Sequence, residues 1–456
     1  MTDAFDVLVL GAGSGGYACA LRAAQLGLTV GLVEKSKVGG TCLHVGCIPT
    51  KALLHAAEVA DAAREADRVG VRATFDGIDM AAVNAYKDGV VGRLFKGLTG
   101  LVASRGITVI EGAGTLVGPR SVKVGDTTYD GRALVLATGS YSRSLPGLDI
   151  DGERVLTSEH ALALDRVPSS VVVLGGGVIG SEFASVWRSF GAEVTIVEAL
   201  PRLVAAEDET SSKALERAFR KRGIRFLTGT PFESVKHTDA GVAVTVAGGE
   251  VIEAELMLVA VGRGPVTTGL GYEEQGIAME RGFVTVDDRL RTSVEGVYAV
   301  GDITPGLQLA HRGFAQGIFV AEDIAGLAPR PIEETAIPRV TYSHPEVASV
   351  GLTEAAARAA YGEIETVTYD LGGNGKSQIL QTQGFVKLVR RADGPVVGIH
   401  LVGDRVGELI GEAQVIYGWE AVPDDVTPLV HAHPTQNEAV GEAFLALAGK
   451  PLHAHH

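Results

Sequence analysis

Twice in its 456 residues the chain runs through the same succession of apolar strand, glycine-rich turn, helix and second strand ending in glutamate. In the first copy, Phe5-Asp6-Val7-Leu8-Val9-Leu10 leads into Gly11-Ala12-Gly13-Ser14-Gly15-Gly16. A helical stretch then runs to about Leu26, and a strand from Thr29 to Val33 ends at Glu34. In the second, a strand Ser170 to Leu174 meets Gly175-Gly176-Gly177-Val178-Ile179-Gly180. A helix follows to Phe190, and a strand Glu193 to Val197 ends at Glu198. The glutamate stands 18 residues past the last glycine in both copies. This spacing predicts two βαβ units that each hold a dinucleotide. Gly11 and Gly175 permit the tight turn. Gly13 and Gly177 let the backbone approach a pyrophosphate at the helix N-terminus, and Gly16 and Gly180 let helix and strand pack closely. Glu34 and Glu198 can accept hydrogen bonds from ribose hydroxyls. Glu198 would also repel a 2′-phosphate, so NAD is expected there rather than NADP. Arg202, close by in sequence, reads as a solvated surface arginine. Two such sites suggest one cofactor that stays and one that visits.

The chain has only three cysteines, and two of them, Cys42 and Cys47, lie just after the first unit. A thiol pair beside a redox cofactor can accept electrons and hand them on. Pro49 is tolerated in the first turn of a helix, which places Cys47 at a helix N-terminus. There the helix dipole and Lys51 would stabilise a thiolate. Two buried small hydrophobes or half a zinc site are the other readings of such a pair, but no second cysteine pair exists to complete zinc ligation, so no metal is expected. Cys19, inside the first helix, reads as a packing residue. Near the C-terminus, Val430-His431-Ala432-His433-Pro434-Thr435-Gln436-Asn437-Glu438 offers His433. Histidine is the natural general acid/base for thiol chemistry near neutral pH, and a carboxylate can orient its ring. A surface histidine is the plain alternative. His311 and His344 show no comparable local arrangement.

The formal net charge of -15 argues against a nucleic-acid partner and leaves solubility or a basic protein partner as its meaning. No apolar run reaches the roughly 18 residues of a membrane span. The N-terminus enters a strand pattern at once and does not read as a signal peptide. Few cysteines and no export signal point to a reducing compartment, the cytoplasm. Leu452-His453-Ala454-His455-His456 reads as a disordered end rather than a metal tail. The expected fold is α/β: two doubly wound dinucleotide-binding domains, a small central domain and an α+β C-terminal domain. The breaks fall near 146, 267 and 335.

Gly40-Thr41-Cys42-x4-Cys47-Ile48-Pro49-Thr50-Lys51, the two glycine-rich turns, Ala137-Thr138-Gly139, Tyr298-Ala299-x-Gly301-Asp302 and His433-Pro434-Thr435-x2-Glu438 follow one another in a recognisable order. In this the chain resembles the flavin-dependent pyridine nucleotide–disulfide oxidoreductases over nearly its whole length. The resemblance implies FAD in residues 1–145, NAD in 146–266, a central domain 267–334 completing the FAD site, and an interface domain 335–456 that builds a homodimer. It implies that Cys42 and Cys47 form the redox disulfide, the first exchanging with substrate and the second lying against the flavin. Lys51 would lie near flavin N5. Glu34, Thr138, Gly139 and Asp302 would serve FAD, and Glu182 would stand beside the nicotinamide pocket. His433 and Glu438 would be the catalytic pair, supplied from the other subunit. Within the family, Cys47-Ile48-Pro49-Thr50-Lys51-Ala52-Leu53-Leu54 and His431-Ala432-His433-Pro434-Thr435 resemble the members that oxidise protein-bound dihydrolipoamide with NAD. Those members serve 2-oxo acid dehydrogenase or glycine-cleavage complexes. Their partners are a lipoyl domain and the peripheral-binding segment of an acyltransferase subunit. His44 departs from an asparagine frequent in the family, and Thr50 from a serine. Thr50 also resembles the mycothione reductase pattern, so the alternative is an NADPH-dependent reductase of a low-molecular-weight disulfide such as mycothione.

Overall fold

The computed structural model describes residues 4–454. Its residues cluster into two compact units, one of Met1–Ala52, Ala81–Arg143 and Gly262–Glu334, the other of Leu53–Met80, Ser144–Val261 and Thr335–His456.

The first unit is built on a sheet whose parallel strands run in the order Thr108–Glu111, Val30–Glu34, Ala4–Leu10, Thr127–Leu136 and Val297–Ala299. Successive side chains of a strand point to opposite faces, and a parallel sheet is covered on both. The strand Ala4–Leu10 is apolar at nearly every position for that reason. Val7 and Val9 join Leu32 and Val135 in one core, while Leu8 and Leu10 join Val33, Leu134 and Leu136 in another. The long strand Thr127–Leu136 also carries an antiparallel extension, Gly114–Gly118 and Ser121–Val124. The strand Val297–Ala299 pairs with its other end, Val297 opposite Leu134, and delivers the turn Gly301–Ile303 to the carboxyl ends of the parallel strands.

The second unit repeats the plan. Arg225–Leu227, Glu193–Val197, Ser170–Leu174, Leu256–Val259 and Val155–Leu156 form a parallel sheet, and an antiparallel meander from Phe232 to Ala254 shares a core with it. Even the closing bonds repeat. Gly11 donates to Val33 O and Ala137 to Leu10 O, and Gly175 donates to Val197 O and Ala260 to Leu174 O, all at 2.8 Å. The C-terminal part is a five-stranded antiparallel sheet, with the helices Val406–Gly418 and Glu438–Leu447 packed on one face over Leu388, Ile399 and Leu401. Its other face bears a polar row in register across four strands: Arg339, Ser349, His400 and Lys387.

This is the α/β architecture expected, with an α+β C-terminal part. Among the helices not foreseen are Gly40–Val45 and Met80–Ser104. The C-terminal tail is not loose as far as it is described. The His453 ring bonds the Glu442 carboxylate at 2.8 Å, and the His453 N–H donates to its other oxygen at 3.0 Å. His455 and His456 lie outside the described residues.

Candidate active site

Both glycine-rich turns have the geometry of a pyrophosphate cradle. Gly11 has φ +103°, and a β-carbon there would stand 2.3 Å from Ala137 O. One on Gly16 would stand 1.8 Å from Gly11 O, whereas one on Gly13 would meet nothing within 4 Å. The second turn matches, with 2.4 Å at Gly175, 1.9 Å at Gly180 and open space at Gly177. The helices that follow, Ser14–Gln25 and Val178–Phe190, have neither a capping side chain nor an acidic residue in the first turn. Their leading N–H groups are thus left to an anion. Each turn is tied to its own glutamate. Glu34 accepts from Ala12 N at 2.8 Å and Ser36 N at 2.9 Å, and Glu198 accepts from Gly176 N at 2.6 Å and Leu200 N at 2.7 Å. A dinucleotide fits both turns.

The thiols are placed by the first turn. Gly39 N donates to Ala12 O at 2.8 Å, and a β-carbon on Gly40 would stand 2.7 Å from the Gly13 α-carbon. Only a glycine lets the Gly40–Val45 helix, with Cys42 in it, approach so closely. Cys47 is the first residue of the helix Cys47–Arg64, as the sequence indicated. No disulfide joins the two in this structure. Cys42 is pushed well above the usual thiol range by its hydrogen bond with Cys47, then by burial and the Cys47 charge, against the opposing pull of Lys51. Thr50 is buried and its hydroxyl donates to Gly46 O at 2.6 Å, closing the first turn of that helix. His44 is turned aside, its Nε2 2.9 Å from Val38 O and its ring edge-on to Phe95. Cys19 is buried and pushed up to about 12 by that burial, which makes it an inert packing residue.

Asp302 sits in the turn Gly301–Ile303 and accepts from the Ser140 hydroxyl at 2.5 Å; Arg263 in turn donates from Nε to Ser140 Oγ at 2.7 Å. The turn is braced from behind. Gln316 accepts from Gly301 N at 2.7 Å, and buried Arg312 donates to Gly301 O at 3.3 Å and Pro305 O at 2.5 Å. The Thr138 hydroxyl is spent within the protein, donating to Val266 O at 2.6 Å and lying 3.0 Å from Tyr272 OH. Gly139, next in the chain, has φ +75°. Ser140, Arg263, Arg312 and Gln316 escaped sequence reasoning.

Glu182 is 2% exposed and accepts from Tyr342 N at 3.0 Å. Arg202 is not the solvated arginine expected. Its Nη2 donates to Ala205 O at 2.8 Å and Glu207 O at 3.3 Å, so it braces its own loop.

His433 and Glu438 meet as expected, with Nδ1 2.8 Å from the carboxylate. Burial works upward on Glu438, but the Thr435 N–H at 2.7 Å and His433 overcome it and hold the carboxyl below its usual range. An ionised carboxylate on Nδ1 leaves Nε2 to exchange protons outward. The His433 side chain is 78% exposed. No helix among the described residues is long and apolar enough to cross a membrane, and no cluster of metal-ligating side chains occurs among them.

A family model described as pyridine nucleotide-disulphide oxidoreductase matches residues 5–317, and the dimerisation-domain model of that family matches 337–444. The dihydrolipoyl dehydrogenases of Bacillus subtilis and Chlorobaculum parvum are 40% and 42% identical, covering 99% and 98% of this chain and 100% and 98% of their own. A leghemoglobin reductase of Glycine max is 38% identical over 100% of this chain and 89% of its own. Among solved structures, LpdA from Mycobacterium tuberculosis superposes with a TM-score of 0.90 at 29% identity, over 97% of this chain and 99% of that one. The HOCl-induced flavoprotein disulfide reductase RclA from Escherichia coli superposes with a TM-score of 0.86 at 27% identity, over 96% and 99%.

Proposed function

This chain belongs to the pyridine nucleotide-disulphide oxidoreductases, and from that membership we propose that it oxidises protein-bound dihydrolipoamide to lipoamide with NAD as the final acceptor. It would do so as the dehydrogenase component of a 2-oxo acid dehydrogenase or glycine-cleavage complex. One observation carries the reading. A thiol pair lies beside a dinucleotide turn in a chain 40% identical, from end to end, to a dihydrolipoyl dehydrogenase. In this reading residues 1–145 bind FAD, 146–266 bind NAD, 267–334 complete the FAD site and 335–456 join two copies. Gly11, Gly13, Gly16, Glu34, Lys51, Thr138, Gly139 and Asp302 would hold FAD. Gly175, Gly177, Gly180, Glu182 and Glu198 would hold NAD.

In the oxidised protein Cys42 and Cys47 share a disulfide. His433 of the other copy takes a proton from one dihydrolipoyl thiol, and that thiolate attacks Cys42, so that Cys47 leaves as a thiolate. The second dihydrolipoyl thiol gives up its proton to Cys42 as its sulfur attacks the substrate sulfur of the mixed disulfide and displaces Cys42, releasing lipoamide. The hydrogen bond that pushes Cys42 upward suits this order, because the displaced Cys42 holds the proton it takes up. Bound FAD would supply the acceptor for the resulting electron pair and its delivery as hydride to NAD. Glu438 holds the His433 ring in place throughout.

The test is a substrate panel on purified flavoprotein: dihydrolipoamide with NAD or NADP, then lipoamide, mycothione and glutathione disulfides with each reduced nicotinamide. Dihydrolipoamide with NAD is expected to give the highest kcat/KM. A preference for NADPH with mycothione disulfide would replace this reading with the alternative.

A further inference from the structure

The segment that carries His433 is held at both ends by one residue of a different helix. Glu412, in the Val406–Gly418 helix, bonds His431 Nε2 through Oε1 at 2.8 Å and accepts from the Asn437 amide through Oε2. His431 and Asn437 bracket the segment, with His433 between them. The anchors are sheltered and the middle is not. The His431 side chain is 13% exposed and that of Glu412 22%, against 78% for His433. A third surface fixes the His431 ring. A β-carbon on Gly441, in the Glu438–Leu447 helix, would stand 2.6 Å from His431 Nδ1, so the ring lies directly on the backbone of the helix that begins with Glu438. Asn374 donates to Thr435 O at 3.0 Å and Gln436 donates to Asp404 O at 2.8 Å, closing the remaining freedom of the segment.

We infer that Glu412 is a positioning residue for His433, setting the reach and direction of an exposed base through His431 and Asn437. The inference rests on the reading of His433 as the base for thiol oxidation. Glu438 sets the orientation of the His433 ring, but a side chain 78% exposed owes its reach to the backbone that carries it. A small misplacement of a reacting group can cost about a hundredfold in rate. The segment has one carboxylate to do this at both of its ends.

The test is a double-mutant cycle on the holoenzyme with Glu412→Ala, His433→Ala and both together, assayed with dihydrolipoamide and NAD. His433→Ala is expected to lower kcat by roughly 10²–10⁴-fold, the range of general acid/base help. Glu412→Ala is expected to lower kcat at least about tenfold with little change in KM. It should leave the flavin spectrum and the NADH-to-dye reaction, which bypasses the thiols, as they were. In the His433→Ala background, Glu412→Ala should cost nothing further. An equal loss in both backgrounds, or no loss in either, overturns the inference and leaves His433 in place. A His433→Ala enzyme with normal thiol turnover overturns the reading of the base, and the inference with it. If Glu412→Ala folds poorly, the same cycle runs with Glu412→Gln, whose one carbonyl oxygen can accept from only one of the two anchors. Adding Asn437→Asp reverses the polarity of the pair at Asn437 and should recover activity. No recovery overturns the inference.

Discussion

The Glu198 carboxylate is already holding the N–H groups of Gly176 and Leu200. An ionised carboxylate has room for about four hydrogen bonds, so two positions remain for the ribose hydroxyls. In the proposed reading the same residue would shape the turn, bind the sugar and repel a 2′-phosphate. Glu198→Ala should weaken kcat/KM for NADH at least tenfold, about 1.4 kcal/mol, and narrow the preference over NADPH. Steady-state kinetics with both nucleotides measures it, and an unmutated protein that already favours NADPH would contradict the assignment. At this scale the sequence was readable wherever a residue's job depends on its neighbours in the chain, as with the glycines, Glu34, Glu198, Cys47 and the His433–Glu438 pair. It was silent on Ser140, Arg263 and Glu412. The Ser140–Asp302 bond spans 162 residues and the Arg263–Ser140 bond 123, and no local spacing encodes such a meeting.

At the scale of elements, the two turns are near-copies that would serve different ligands in the proposed reading, which lets them be broken separately. A methyl group on Gly16 would collide with Gly11 O and one on Gly180 with Gly175 O. Both contacts are with backbone, which cannot swing away. Gly180→Ala should raise KM for NADH by an order of magnitude or more while flavin content stays full. Gly16→Ala should yield protein poor in flavin. The flavin-to-protein absorbance ratio and the NADH saturation curve separate the two outcomes. The parallel strands were legible because both faces are buried and the apolar runs are unbroken. The helix Met80–Ser104 was not. It contains Gly89, Gly92, Gly97 and Gly100, each costing about 1 kcal/mol of helix propensity against alanine, and their side chains mark no apolar face. The Gly40–Val45 helix is too short for periodicity to reveal.

Across the whole molecule, the second unit contains a buried ionic row that the sequence pattern does not show. Lys387 Nζ reaches Asp208 at 2.8 Å and Glu354 at 2.7 Å, with side-chain exposures of 5% for Lys387 and 2% for Asp208. Alongside, Glu207 takes Arg339 at 3.0 Å and the Ser349 hydroxyl. Burial alone would raise Asp208. The Lys387 bond, the Glu354 N–H at 3.0 Å and the positive charge nearby hold it below the usual carboxylate range instead. A depressed pKa contributes stability above the unfolded value near 3.9 and loses it as the pH falls through the folded value. Lys387→Met strands Asp208 and should cost about 3–5 kcal/mol at neutral pH, seen as a fall in the melting temperature. The gap from wild type should shrink below about pH 4.

The exposed His433 has a genetic consequence. In the proposed reading His433 serves its neighbour's thiols, so two different broken copies of the gene would repair each other. A cell making both Cys42→Ser and His433→Ala chains would assemble mixed pairs in which one of the two sites is whole. With random pairing, thiol turnover in the extract should return to roughly a quarter of normal, although neither allele alone supports any. If both functions came from one chain, the two alleles together would remain as inactive as either one.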